Sequence, residues 1–298
     1  MLPLLFLLMA TEVDLAHSWI TDADLVKIGR MEELERLDLS HTKVTDAGLQ
    51  HLKNLRNVRE LRLYYAEFLS EDGLAFLKQW TKLEKLNLRG ARVTSKIFEH
   101  LAGLPNLREL DVAFTEITDE GFDQLLELPK LERLAIGGNR LSGECLNVLR
   151  QIPTLRELDV SGTQRVDSGL WGLSLTEENL GRIGMLEQIT RLNLSAATLS
   201  DRGVDRPGHP EAERTDLRDL SALQGLRNLE YLDLSRQPVT TATLKTIATL
   251  ARLHTLRLGL CGKIDDTAVE VLRTMPQLRS VFTPGTRISE AGLQGLRQ

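Results

Sequence analysis

The sequence predicts an α/β solenoid of about eleven units, with short parallel strands on one side and short helices on the other. Three observations predict it. A block of about 24 residues recurs along the 298-residue chain. Within each block the apolar period changes from two to three. A Ser, Thr or Asp recurs at the point where the period changes.

The recurrence is direct. Leu34-Glu-Arg-Leu37-Asp-Leu39-Ser-His-Thr-Lys-Val44-Thr-Asp-Ala-Gly-Leu49 returns as Leu107-Arg-Glu-Leu110-Asp-Val112-Ala-Phe-Thr-Glu-Ile117-Thr-Asp-Glu-Gly-Phe122. The first apolar residue of each unit falls at Leu34, Val58, Leu83, Leu107, Leu131, Leu155, Ile189, Leu229, Leu253 and Leu278, spaced 24, 25, 24, 24, 24, 34, 40, 24 and 25. A partial unit carried by Val13, Leu15, Ile20 and Leu25 comes first. The L-x-L pair, such as Leu37 and Leu39, has the period of a strand. Leu49, Leu52 and Leu55 have the spacing of one helical face. Between them stand the predicted helix caps Thr21, Thr45, Ser70, Thr94, Thr118, Ser142, Thr176, Ser200, Thr240, Asp265 and Ser289. Such residues accept a hydrogen bond from an unpaired first-turn amide. An acid often follows, as at Asp46, Glu71, Asp119 and Glu290, where the helix dipole favours it.

One such unit buries too few side chains to offset the entropy of ordering it, so neighbouring units must share a core. Leucine supplies that core, with 60 residues of 298. At this point the chain resembles the leucine-rich repeat proteins over nearly all its length. Its ITDxGL-type second half is similar to the cysteine-containing and bacterial subclass. The resemblance implies a curved horseshoe with a parallel sheet on the concave face and short helices on the convex face. It also implies an inward-pointing Asn or Cys after each L-x-L strand. That position here reads Ser18, Thr42, Ala66, Ala91, Thr115, Asn139, Thr163, Ala197, Gln237, Cys261 and Thr286, so Asn139 and Cys261 alone match the family residue. Three alanines cannot hydrogen-bond, which predicts a weakened ladder.

Residues 1–298 read as a single solenoid with two over-long units. The insertions lie at about 165–175, which presents Trp171, and about 199–216, rich in charge, Gly and Pro. Both fall between strand and helix of consecutive units, where repeat proteins often place a binding edge. The opening MLPLLFLLMATE has two readings, half a repeat in phase with the rest or a secretory signal without the usual leading basic residue. The half-repeat reading slightly favours a cytoplasmic over a secreted protein. A net charge of −5 and a pI near 5.8 argue against a nucleic-acid partner. Two cysteines exclude a disulfide-rich scaffold, and no apolar run is long enough for a membrane span.

Chemistry is not legible. The six histidines lack ligand spacing, and no metalloprotease, phosphate-loop or nucleophile-elbow motif occurs. Cys145 occupies a slot filled elsewhere by glycine and Cys261 the ladder position, so both read as structural. The expectation is therefore a non-enzymatic protein-interaction scaffold, monomeric and without cofactor or metal. Phe68, Trp80, Phe98 and Phe122 map to core slots. Arg62, Tyr64, Tyr65, Arg89, Asp111 and Phe114 form the candidate partner patch on the strand face, because Tyr and Arg anchor interfaces. Trp171, Arg202, Arg206 and His209 form a candidate patch on the insertion edge. Two other readings stand beside this one. The chain is the substrate-recognition part of a ubiquitin-ligase-type adaptor or effector, or it is a secreted adhesion protein.

Overall fold

The computed structural model describes residues 10–162, 173, 175–197 and 219–296. The chain divides into two compact units, Met1–Arg140 and Leu141–Gln298. Eleven strands of three residues follow chain order and pair in parallel within each unit. Unit one holds β1 (Glu12–Asp14), β2 (Arg36–Asp38), β3 (Glu60–Arg62), β4 (Lys85–Asn87), β5 (Glu109–Asp111) and β6 (Arg133–Ala135). Unit two holds β7 (Glu157–Asp159), β8 (Arg191–Asn193), β9 (Tyr231–Asp233), β10 (Thr255–Arg257) and β11 (Ser280–Phe282). Their register is the repeat register: Val13 faces Leu37, which faces Leu61, Leu86, Leu110 and Leu134 in turn. In unit two Leu158, Leu192, Leu232, Leu256 and Val281 do the same.

The segments that follow the strands are α-helices or 3₁₀ turns. The α-helices of unit one are α1 (Asp22–Ile28), α2 (Asp46–Leu49) and α3 (Ile97–Leu101); Asp72–Gln79 and Phe122–Glu127 are 3₁₀. Unit two contributes α4 (Cys145–Leu149), α5 (Glu177–Gly184), α6 (Thr241–Ile247), α7 (Thr267–Arg273) and α8 (Glu290–Leu296), with Ser221–Gly225 in 3₁₀ form. The three-residue apolar spacing suits either form, since Phe122, Leu125 and Leu128 accompany a 3₁₀ segment and Leu146, Leu149 and Ile152 an α-helix, with all six buried.

The predicted caps hold only in part: Glu71, Lys96, Gly121, Glu144 and Asp266 stand at the helix starts in place of Ser70, Thr94, Thr118, Ser142 and Asp265, and Ser200 lies outside the described residues. Thr176 and Thr240 accept from the N–H of Asn179 and Thr243 as expected. Thr45 instead donates its N–H and Oγ1 to Asp22 of the preceding repeat, at 2.8 and 2.6 Å. Ser70 does the same to Asp46 at 2.8 and 2.6 Å, and Thr94 to Glu71 at 3.3 and 2.7 Å. The first-turn acid thus ties one repeat to the next. Glycine at the fourth residue of the motif makes room for it: a Cβ on Gly48 would lie 2.2 Å from Asp22 Oδ1, and one on Gly73 2.1 Å from Asp46 Oδ1.

The inward ladder also has a fuller chemistry than Asn and Cys alone. Asn139 donates to Val112 O and Ile136 O and accepts from the Thr115 N–H. Gln237 reaches Leu194 O and Ala197 O, so its longer arm serves a neighbour whose own ladder residue is alanine. The core expectation fails at Phe68, which is 56% exposed, whereas Trp80, Phe98 and Phe122 are buried. Phe68 stands beside Leu69, and Leu69 takes the interior slot.

Candidate functional site

Charged rows run along the outer face of the unit-one sheet. Glu35, Arg59, Glu84, Arg108 and Glu132 alternate in sign from repeat to repeat, and so do Glu12, Arg36, Glu60, Lys85, Glu109 and Arg133. They pair with one another: Arg59 with Glu84 at 2.5 Å, Arg108 with Glu132, Arg36 with Glu12 at 2.8 Å, and both Lys85 and Arg133 with Glu109 at 2.9 and 2.6 Å. Exposed pairs of this kind contribute about 0–1 kcal/mol each. Their effect is to cancel charge within these two rows.

Arg62 belongs to this network, held by Glu60 at 2.6 Å with Asp38 at 3.6 Å. Asp111 accepts from the Ala113 N–H at 3.0 Å, closing a turn that Asp38, Asn87, Asp159, Asn193 and Asp233 repeat in their own units. The carboxylate is therefore partly a backbone device. Arg89 is half-buried, with its guanidinium 4.9 Å from the Phe114 ring centre and 3.8 Å from Asp111. Tyr64 and Tyr65 meet edge to face at 4.7 Å. The structure thus divides the predicted patch into three: Tyr64 with Tyr65, Arg89 with Asp111 and Phe114, and Arg62 within the ion-pair network. Trp171, Arg202, Arg206 and His209 lie outside the described residues.

Two members of the cluster were missed from sequence. His41 stacks on Tyr65 at 5.4 Å and meets the edge of Tyr64 at 5.0 Å, and His17 stacks on His41 at 4.3 Å with an interplanar angle of 17°. His17, His41, Tyr65 and Phe114 share one register position, and all are left-handed, with φ of 58°, 54°, 50° and 57°. In the intervening and following repeats glycine holds the position, at Gly90 and Gly138, and there the Tyr65 and Phe114 rings fill the space a side chain would need. The 24-residue spacing from His17 to His41 to Tyr65 was the available signal. Trp19, two residues beyond His17, is 85% exposed with Lys43 Nζ 5.0 Å from its ring centre.

Unit two carries fewer rings. Arg191 lies 4.0 Å from Tyr231 and Arg257 4.3 Å from Phe282. Burial, with Asp233 adding to it, raises the Tyr231 pKa above its ordinary value. Burial also pushes the Cys261 thiol up to about 11, so it is neutral at physiological pH, and it donates to Leu234 O at 3.2 Å. Among the described residues no group of three or more His, Cys, Asp or Glu is placed to hold a metal ion. No described helix is long and apolar enough to cross a membrane.

These repeats define a class. Residues 33–53 and 103–123 match the family model of the Leucine Rich repeat, and they contain the two blocks whose likeness is seen in the sequence. Two segments of the chain thus carry leucine-rich repeats, and the fold around them is that of a leucine-rich repeat solenoid. Its fold is shared with an internalin (inlF) of Listeria monocytogenes str. 4b F2365, at 19% identity and a TM-score of 0.56, over 95% of this chain and 77% of that one. An internalin C2 (inlC2) of the same strain superposes with a TM-score of 0.47 at 20% identity, over 83% and 80% of the two chains. The LRR ectodomain of the Arabidopsis thaliana receptor kinase GASSHO1/SCHENGEN3 superposes with a TM-score of 0.49 at 15% identity, over 96% and 31%. No curated protein matches the sequence.

Proposed function

We propose that this chain is a non-enzymatic module that binds a protein partner through the outer strand face and turn edge of unit one. Leucine-rich repeat proteins serve as protein-interaction modules, and the reading needs no cofactor. The observation that carries it is the contiguous cluster of His17, His41, Tyr64 and Tyr65. His17 and His41 are exposed and Tyr64 and Tyr65 half-buried; rings at three left-handed positions, where glycine would be unstrained, fit a surface kept for contact rather than for folding.

Affinity capture followed by mass spectrometry identifies the partner. Tyr64→Ala combined with Arg89→Ala should then weaken binding by at least about 2 kcal/mol in calorimetry, with an unchanged circular dichroism spectrum. Unchanged affinity in the folded double variant would remove the site from this face.

A further inference from the structure

We infer that the ring cluster of unit one receives a basic, arginine-bearing segment of the partner; this rests on the binding surface proposed above. The protein supplies its own precedent. Elsewhere the described strand-face and turn rings carry a cation of the same chain: Arg89 lies over Phe114 at 4.9 Å, Arg191 over Tyr231 at 4.0 Å and Arg257 over Phe282 at 4.3 Å, with Lys43 over Trp19 at 5.0 Å. In the three arginine cases the cation comes from the preceding repeat. The position from which Arg89 covers Phe114 is occupied, with respect to Tyr65, by Ser40. Among the described residues, no cation lies over His17, His41, Tyr64 or Tyr65, which contact one another instead.

The surrounding charge favours a cation from outside. On β1 to β3, Glu12, Asp14, Asp38 and Glu60 face Arg36 and Arg62, four carboxylates against two guanidiniums. Both guanidiniums are already paired, Arg36 with Glu12 and Arg62 with Glu60 and Asp38. Asp14 is exposed and accepts from the Ala16 N–H. A guanidinium suits this setting better than an ammonium. It is planar, is more weakly hydrated, stacks on an aromatic face, and can still reach a carboxylate with its edge.

The test titrates the full chain by calorimetry with three synthetic peptides of one length, bearing Arg, Lys or Gln at alternate positions. The Arg peptide should bind about tenfold or more tightly than the Gln peptide, with Lys between them. Tyr65→Gly and Asp14→Asn should each weaken the Arg peptide several-fold. Glycine is the residue other repeats use at the position of Tyr65, so that variant keeps the fold, which a circular dichroism melt verifies. Equal binding of the Arg and Gln peptides, or Arg binding indifferent to Tyr65→Gly, would overturn the inference. If the captured partner loses affinity for the Tyr64→Ala, Arg89→Ala variant while no Arg peptide binds, the surface stands and its basic ligand falls. If Arg peptides bind through Tyr65 but the captured partner ignores that variant, the partner's assignment to this surface falls.

Discussion

A tyrosine at φ 50° strains the backbone where a glycine would not, since the left-handed region brings Cβ against the following carbonyl. The Tyr65 ring offsets that strain through its contacts with His41 and Tyr64 and its seat over Gly90. Comparing two truncations separates the two effects. Both Tyr65→Gly and Tyr65→Ala remove the ring, but only glycine relieves the backbone. The glycine variant should therefore be the more stable of the two by about 0.5–1 kcal/mol in urea denaturation, net of its larger unfolded-state entropy. Equal stability, or a more stable alanine variant, would mean that the turn holds no strain. At Cys261 the raised thiol pKa and the bond to Leu234 O place the residue in the backbone ladder. Cys261→Ser keeps a donor there, so partner capture should persist with a stability loss of about 1 kcal/mol. Loss of capture in a well-folded variant would give the thiol a role in binding.

Between repeats, the unit of stabilisation is a triad spread over about 25 residues: Asp46, Ser70 and Gly73 in one instance, Asp22, Thr45 and Gly48 in another. The periodic Thr-Asp-x-Gly was legible in the sequence, but its purpose was not. A helix dipole accounts for an acid in the first turn, whereas the contact that fixes the acid and the glycine together comes from the adjacent repeat. Gly73→Ala should cost about 1–2 kcal/mol by displacing the Asp46 carboxylate from Ser70. In an Asp46→Ala background the same substitution should cost less, giving a coupling of about 1 kcal/mol in a double-mutant cycle. Additive effects would separate the two residues. Glu71 extends the test to pH. Burial disfavours its charged form, but the Thr94 hydrogen bonds prevail and its pKa lies below the ordinary 4.5. A depressed carboxylate stabilises the folded state above its unfolded pKa, and that contribution fades as pH falls through the folded value. Glu71→Gln should therefore be less stable than the parent at pH 7, and the gap should close below about pH 4. A gap that is constant across this range would assign the loss to packing.

Across the whole chain, phase was the legible quantity and local backbone shape was not. The position of every strand follows from the leucine register, because a one-residue slip would turn Leu37 or Leu61 out of the core. The left-handed turn after each strand leaves no composition signal, since His17, Gly90, Arg236 and Leu260 all adopt it. The ring cluster that depends on it was therefore seen only in part, with the tyrosines found and the histidines missed. Phase also survives the longer insertion. Leu192 on β8 faces Leu232 on β9 across a 40-residue spacing. Gln237 bonds back to Leu194 O and Ala197 O, and Leu220 is fully buried with its N–H donating to Thr246 Oγ1 at 3.0 Å. Residues 198–218 lie outside the described residues, and the strand register is kept on either side of them. Replacing 200–215 by the four-residue turn of a normal unit should thus leave thermal unfolding cooperative, because halving a loop twice changes its closure entropy by only about 1.2 kcal/mol. Loss of the fold would show that the segment packs as structure. Partner capture by the shortened chain then decides between the two candidate surfaces. Retained binding leaves the unit-one rings as the site, and abolished binding in a folded chain transfers it to the insertion with Arg202, Arg206 and His209.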